Sequence, residues 1–241
     1  MYTPSFREEN GKAVGFTLLE LLIVIGIMVI LGTVLILVLN PAETLKKSRD
    51  NQRISDLATV KTALGLYITD VASPDLDAAV VACSATSLGA VALISYSKPL
   101  TDAACITPPA VGADMAPATY HATDWCRYVA SPNAGVDGAG WIPVDLTGIS
   151  GGTPLASYPL DPTNTVATNT APASTDLVYR YACQNATTSS GKPSFVFELD
   201  AQLESTAYTV TSDKRTQDGG DNTNYYEVGN SVKLLPTSAA F

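Results

Sequence analysis

At 241 residues the chain fits one domain plus an anchoring segment, and its formal net charge is −9. That charge argues against nucleic-acid binding through a general basic surface. A single histidine, His121, excludes a His-based metal cluster or catalytic dyad within one chain.

The leader 1–15 is neutral, with Arg7 and Lys12 set against Glu8 and Glu9. An apolar run of 24 residues follows, Phe16–Leu39, whose one charge is Glu20. As a helix it would reach roughly 36 Å, enough to cross a bilayer. A secretory signal peptide fits poorly, because the run is too long for an h-region and no small-x-small cleavage site follows Leu39. An ordinary signal anchor accounts for the hydrophobicity but not for Glu20, nor for a polar leader that stops at a glycine. A carboxylate inside such a segment costs roughly 3 kcal/mol on insertion scales, so it marks a function and needs a partner.

The words Gly15-Phe16-Thr17-Leu18-Leu19-Glu20-Leu21-Leu22-Ile23-Val24-Ile25 resemble the start of the type IV prepilin family, which includes type IV pilins and the pseudopilins of type II secretion. The resemblance implies cleavage after Gly15 by a prepilin peptidase and N-methylation at Phe16. It implies a filament core built from the helix 16–39, and a head displayed outside. It also implies a pilin-like α+β fold, a long amino-terminal helix packed on a carboxy-terminal antiparallel sheet. Glu20 then becomes an assembly residue, pairing with the new ammonium of Phe16 on a neighbouring subunit. Leaving one partner of a buried pair alone is costly, which makes the pair a register device. The basic residues Lys46, Lys47, Arg49 and Arg53 follow the run, and taken alone they would place the carboxy-terminal side in the cytoplasm. The peptidase signature is the more specific signal and implies the opposite topology.

Asn40-Pro41-Ala42-Glu43 reads as an N-cap, a proline at the first helical position and an acid at the third, so a break near Asn40 is expected before a second helical stretch over 40–70. Ile54, Leu57, Leu64 and Ile68 recur at helical spacing, widened by Val60, Ala63 and Tyr67. Lys46, Lys47, Arg49, Asp50 and Arg53 make the upper part of that stretch polar.

The head, 71–241, carries seven basic and sixteen acidic residues and so holds the whole net charge. Its first part is rich in Ala, Ser, Thr and Pro, and 78–82 and 90–96 are short helix or strand. Gly138–Asp145 contains a strand with an edge proline, Pro143, and Gly148–Thr175 reads as a surface loop. Leu177–Cys183 and Ser194–Leu199 read as an antiparallel hairpin about a turn at Ser189–Lys192. Tyr208–Thr211 and Tyr225–Val228 are further strand candidates.

Cys83, Cys105, Cys126 and Cys183 form no C-x-x-C pair, and an even count in an exported head favours disulfides over free buried thiols. Of three connectivities, Cys83–Cys105 with Cys126–Cys183 is expected. The first would close a loop inside the Ala-rich stretch, and the second would tie a loop to a strand. The Gly-rich acidic stretch Asp213–Asn224, followed by Glu227, could offer carboxylates and carbonyls to calcium, with Asp218 and Asp221 as ligands. It lacks EF-hand spacing, and it looks like the calcium loop of major pseudopilins. A solvated acidic turn is the alternative. No nucleophile elbow, nucleotide loop or metalloprotease motif occurs, so no catalysis is expected.

The expected function is therefore structural. The chain would be a subunit of a type IV pilus-like filament, anchored in the cytoplasmic membrane before assembly and extracellular or envelope-spanning after it. Its implied partners are its own copies, the peptidase, the lipid bilayer, and an assembly platform with its ATPase. The alternatives are a pseudopilin of a secretion or DNA-uptake system, where nucleic acid could become a partner, and an anchored surface binding protein that never polymerises.

Overall fold

The computed structural model describes residues 15–77, 83, 93–98, 113–114, 126–127, 134–165, 172, 175–186 and 191–237. The leader before Gly15, His121, Cys105 and the stretches 78–82 and 90–92 lie outside them. The fold is α+β, and the chain divides into two compact units, Met1–Thr44 and Leu45–Phe241.

In the first unit, helix α1 spans Leu18–Leu39. Its apolar side chains are exposed on every side, from Leu18 (88%) and Leu22 (66%) to Val38 (75%). A helix apolar all round needs an apolar surrounding, and α1 is long and apolar enough to cross a membrane. Its one internal threonine, Thr33, returns its hydroxyl to the carbonyl of Val29 at 2.6 Å. The expected break is present. Asn40 takes a left-handed conformation (φ 37°, ψ 72°) and ends α1. Its side chain then accepts from the amide of Glu43 at 3.4 Å, capping α2, which runs Pro41–Asp70.

In the second unit, α2 shares a core with a five-stranded sheet made of β1 (Ile94–Tyr96), β2 (Cys126–Arg127), β3 (Tyr179–Gln184), β4 (Val196–Ala201) and β5 (Tyr226–Gly229). The order is β2-β1-β3-β4-β5; β1 pairs with β2 in parallel and every other pair is antiparallel. Alternation along the strands splits the sheet into two faces. Tyr179, Tyr181 and Cys183 of β3, with Phe197, Leu199 and Ala201 of β4 and Val228 of β5, join Leu57, Val60, Ala63, Leu64 and Tyr67 of α2 in one apolar core. The other face, carrying Arg180, Glu198, Asp200 and Glu227, is equally buried.

Several expectations are corrected here. Cys83 is bonded to Cys183, with Cα atoms 4.8 Å apart. The expected Cys126–Cys183 bridge is ruled out by topology, since β1 lies between β2 and β3. Two strand spacings are about 9–10 Å, beyond the roughly 7 Å limit for bridged Cα atoms. Cys126 is itself disulfide-bonded. Closing a ring across a separation of 100 residues contributes about 4–5 kcal/mol on the chain-entropy account.

Trp141–Val144 is no strand. One isolated bridge joins Asp137 and Asp145, and between them Trp141, Ile142 and Val144 turn into the core around Pro143. Nor is 148–175 merely superficial, because Ile149, Tyr158 and Asp161 are buried. Tyr208–Thr211 lies within a π-helical turn, Ala207–Thr211. The carbonyl of Ser205 collects the amides of Tyr208 and Thr209, so these residues have no strand to pair with.

The polar upper part of α2 is polar but not all solvated. Asp50 and Arg53 are fully buried. Arg53 donates from Nε to Asp161 Oδ2 (2.6 Å) and from Nη2 to Asp161 Oδ1 (3.0 Å), while Nη1 reaches Asp50 (2.9 Å) and Glu204 (2.6 Å). Glu204 also takes a two-pronged grip from Arg49 at 2.9 and 2.6 Å. Burial pulls the Arg53 guanidinium down, but its carboxylate partners, Asp161 first, more than offset this and hold it above its usual range. Asp50 in turn accepts the amides of Glu204 and Ser205 at 2.9 and 2.7 Å.

Removing Arg53 strands three carboxylates around a buried point. Arg53→Met should therefore lower unfolding free energy by about 3–5 kcal/mol. Arg53→Lys should recover only part of it, because an ammonium has no fork to match Asp161. Urea denaturation near neutral pH measures both, and a loss below about 1 kcal/mol in the methionine variant would refute the network's role.

Candidate functional site

Two places carry the residues singled out by sequence. The first is the start of α1. Thr17 caps the helix by accepting from the amide of Glu20 at 3.2 Å. The Glu20 carboxylate reaches back to the amide and hydroxyl of Thr17, both at 2.9 Å. This reciprocal capping box fixes the carboxylate at the amino-terminal end of the helix, where the helix dipole favours negative charge. Phe16, the residue before, is 84% exposed, and Gly15 precedes it with open space around its Cα. The arrangement presents a carboxylate and an apolar side chain together at one end of an uncovered helix. Sequence spacing located Glu20; its use of Thr17 was readable as T-x-x-E.

The second place is the stretch Asp213–Glu227 and the buried polar face of the sheet beside it. Asp213 is engaged by Arg215, whose Nε lies 2.9 Å from Oδ1 and whose Nη2 lies 2.9 Å from Oδ2. Asp218 accepts the amide of Gly220 at 2.9 Å on one oxygen and that of Glu227 at 2.8 Å on the other. Asp221 has a buried Oδ1 with no hydrogen-bond donor. Burial raises both carboxyls above their usual range. Among the described residues, no three acidic, cysteine or histidine side chains converge as a metal would require. Asp218, through the two backbone amides it accepts, holds the turn of the loop.

That loop lies against a carboxyl pair which sequence reading did not single out. Glu198 of β4 accepts the amides of Leu234 and Leu235 at 2.6 and 2.8 Å, and Glu227 of β5 accepts the amide of Asn222 at 2.8 Å. The remaining oxygen of each, Oε1, is buried without a hydrogen-bond donor, and the two neighbouring carboxyls interact closely enough that a proton shared between them relieves the repulsion of two buried like charges. Burial first, and the neighbouring carboxyl second, push Glu198 well up, while burial raises Glu227 to about 7. Gly220 allows the close approach, since a Cβ there would stand 1.9 Å from Glu227 Oε2. Next along the face, Asp200 pairs with Arg180 at 3.6 Å, and burial still raises it to about 6. The Arg180 guanidinium lies 4.3 Å from the centre of the Tyr225 ring. In β4 the alternation of Glu198 and Asp200 sets one polar face, which residues 218–235 cover.

Because both glutamates are raised in the folded state, the native chain binds more protons than the unfolded one between their unfolded and folded values. The stability they contribute is full below about pH 4.5 and falls as pH rises through about 7. Glu227→Gln keeps an acceptor for Asn222 and gives Glu198 a permanent amide donor. Across about pH 5–8 the native protein should lose about 1–3 kcal/mol that the variant does not lose, as read from denaturant midpoints. Parallel pH profiles would show that the pair does not share a proton.

Set against known protein families, curated proteins and solved structures, the chain finds no match in any of the three.

Proposed function

We propose that the chain is a structural subunit of a type IV pilus-like filament, made as a membrane-anchored precursor. The observation that carries this reading is Glu20, held in the first turn of a helix with no protein cover, directly after Gly15-Phe16. The α+β order, a long apolar helix followed by an antiparallel sheet, is consistent with a pilin-like fold. In this reading a prepilin peptidase cuts after Gly15, and the bilayer covers α1 until neighbouring copies do. Glu20 then receives the ammonium of Phe16 from the next subunit. An assembly platform and its ATPase supply the work, and the acidic heads face outward.

Intact-mass analysis of the assembled protein should give a terminus at Phe16, N-methylated. Glu20→Ala should leave the amount of membrane-bound subunit unchanged while filament yield, counted by electron microscopy, drops at least tenfold (about 1.4 kcal/mol in effective assembly free energy). A terminus at Met1, or normal filament yield from the variant, refutes the reading. Lost secretion without long filaments identifies the pseudopilin alternative.

Calcium at the loop belongs to the same proposal, with Asp218 and Asp221 as its carboxylates. The buried, donor-free Oδ1 of Asp221 supports it. The melting temperature should rise with calcium, by up to about 2.7 kcal/mol of added stability at a hundredfold excess over Kd, and Asp221→Ala should abolish the rise. Superimposable melts with calcium and with chelator leave a solvated acidic turn.

A further inference from the structure

Of the basic residues that follow the apolar run, two are neutralised inside the head. Arg49 is paired with Glu204, and Arg53 with Asp161, Asp50 and Glu204. Lys46 and Lys47 are not. Among the described residues neither makes an ion pair, and nor does Lys214. The fold brings Lys214 to the same place. The Lys47 ammonium lies 5.6 Å from the centre of the Tyr208 ring, and that of Lys214 lies 6.0 Å from it. Tyr208 sits in the π-helical turn, and its hydroxyl is tied to Asn51 of α2 at 2.6 Å. Two residues on, Val210 is 75% exposed. The acids nearby are accounted for: Asp213 is held by Arg215, Glu204 by two arginines, and Glu43 is the one carboxylate sharing the first turns of α2 with the lysines. Lys47 and Lys214 thus flank the Tyr208 ring, with Lys46 next to Lys47 in sequence and the exposed Val210 two residues past Tyr208, on a chain that is otherwise strongly acidic.

The composition of this group is that of an interfacial anchor. Tyrosine has an apolar body and a polar tip, lysine carries its charge on a long apolar stem, and an anionic lipid layer attracts such clusters within a Debye length. Chain connectivity adds the second argument. Lys46 follows the last residue of α1, Leu39, by only seven positions, and Lys46 and Lys47 lie within the first two turns of α2. We propose that Lys46, Lys47, Lys214, Tyr208 and Val210 form a docking surface for the anionic headgroup layer of the membrane that holds α1. The inference rests on the reading that α1 is membrane-held, and it adds a role for the head before assembly: the subunit is held down on the lipid as well as threaded through it. Leaving the membrane then requires breaking this contact.

The test uses the full chain reconstituted into vesicles of phosphatidylcholine and, separately, of phosphatidylcholine mixed with phosphatidylglycerol. A fluorophore is attached at Val210→Cys, where no cysteine among the described residues is free to compete. A quencher on the lipid headgroup should act several-fold more strongly in the anionic vesicles. The difference should vanish in high salt and in the triple variant Lys46→Gln, Lys47→Gln, Lys214→Gln, whose near-ultraviolet circular dichroism should match the parent. Flotation reports the anchor separately. If the protein floats with both vesicles but quenching is equal, headgroup docking is overturned and the anchor stands. If it floats with neither, the anchor reading falls and the docking with it. If quenching follows protein density rather than lipid charge, the lysines face the acidic surface of a neighbouring copy, and the lipid is the wrong partner.

Discussion

The guanidinium of Arg53 is the point on which the head is assembled. It lies on α2, yet its partners come from a loop at Asp161 and from Glu204, just past the end of β4. The same helix supplies Asp50, which captures the backbone of Glu204 and Ser205 and so starts the π-helical turn. Two separate pieces of chain, the Asp161 loop and the segment from Glu204 into the π-helical turn, are thereby referenced to one turn of α2. A fully buried arginine carries a large desolvation cost. That cost is tolerable only because the fork geometry meets Asp161 with two parallel hydrogen bonds and the remaining donors find further acceptors. Apolar packing alone would let α2 slide along the sheet; the network specifies one register.

The sheet's second face repeats this economy with a different chemistry. One face of β3, β4 and β5 meets the apolar stripe of α2, as periodicity requires. The other carries Arg180, Glu198, Asp200 and Glu227 under a carboxy-terminal cover. Here charge is managed partly by pairing and partly by protonation, and Gly220 is small enough for the cover to close over Glu227.

Local signals in the sequence translated well, and long-range ones did not. The cap at Asn40-Pro41 predicted the start of α2, and its apolar stripe predicted Leu57, Val60, Ala63, Leu64 and Tyr67 in the core. The hairpin expected at 177–199 forms two residues later on each arm, as β3 and β4, and β5 falls where aromatic residues cluster. Arg53 and Asp50 read only as polar because nothing local distinguishes a buried arginine from an exposed one; its partners Asp161 and Glu204 stand more than a hundred residues away. Strand order was equally hidden. Since β1 inserts between β2 and β3, the cysteine pairing depended on a topology that spacing does not encode. Glu20 stood out because it is the one charge in the apolar run, whereas the gathering of Lys47 and Lys214 about Tyr208 required the fold.

The bond between Cys83 and Cys183 turns nearly half of the chain into a covalent ring. The entropy of a closed loop grows only with the logarithm of its length, so doubling an inserted stretch costs about 0.6 kcal/mol. Within the ring, Asp161 and the Trp141–Tyr158 segment are fixed by what they touch. Strands β1 and β2 also lie on the ring and are fixed by their pairing with β3 and with each other, so it is anchored at several separate points. Between such fixed points, a change in the length of chain alters closure entropy only slightly, and the covalent ring holds the anchored points together whatever the intervening sequence.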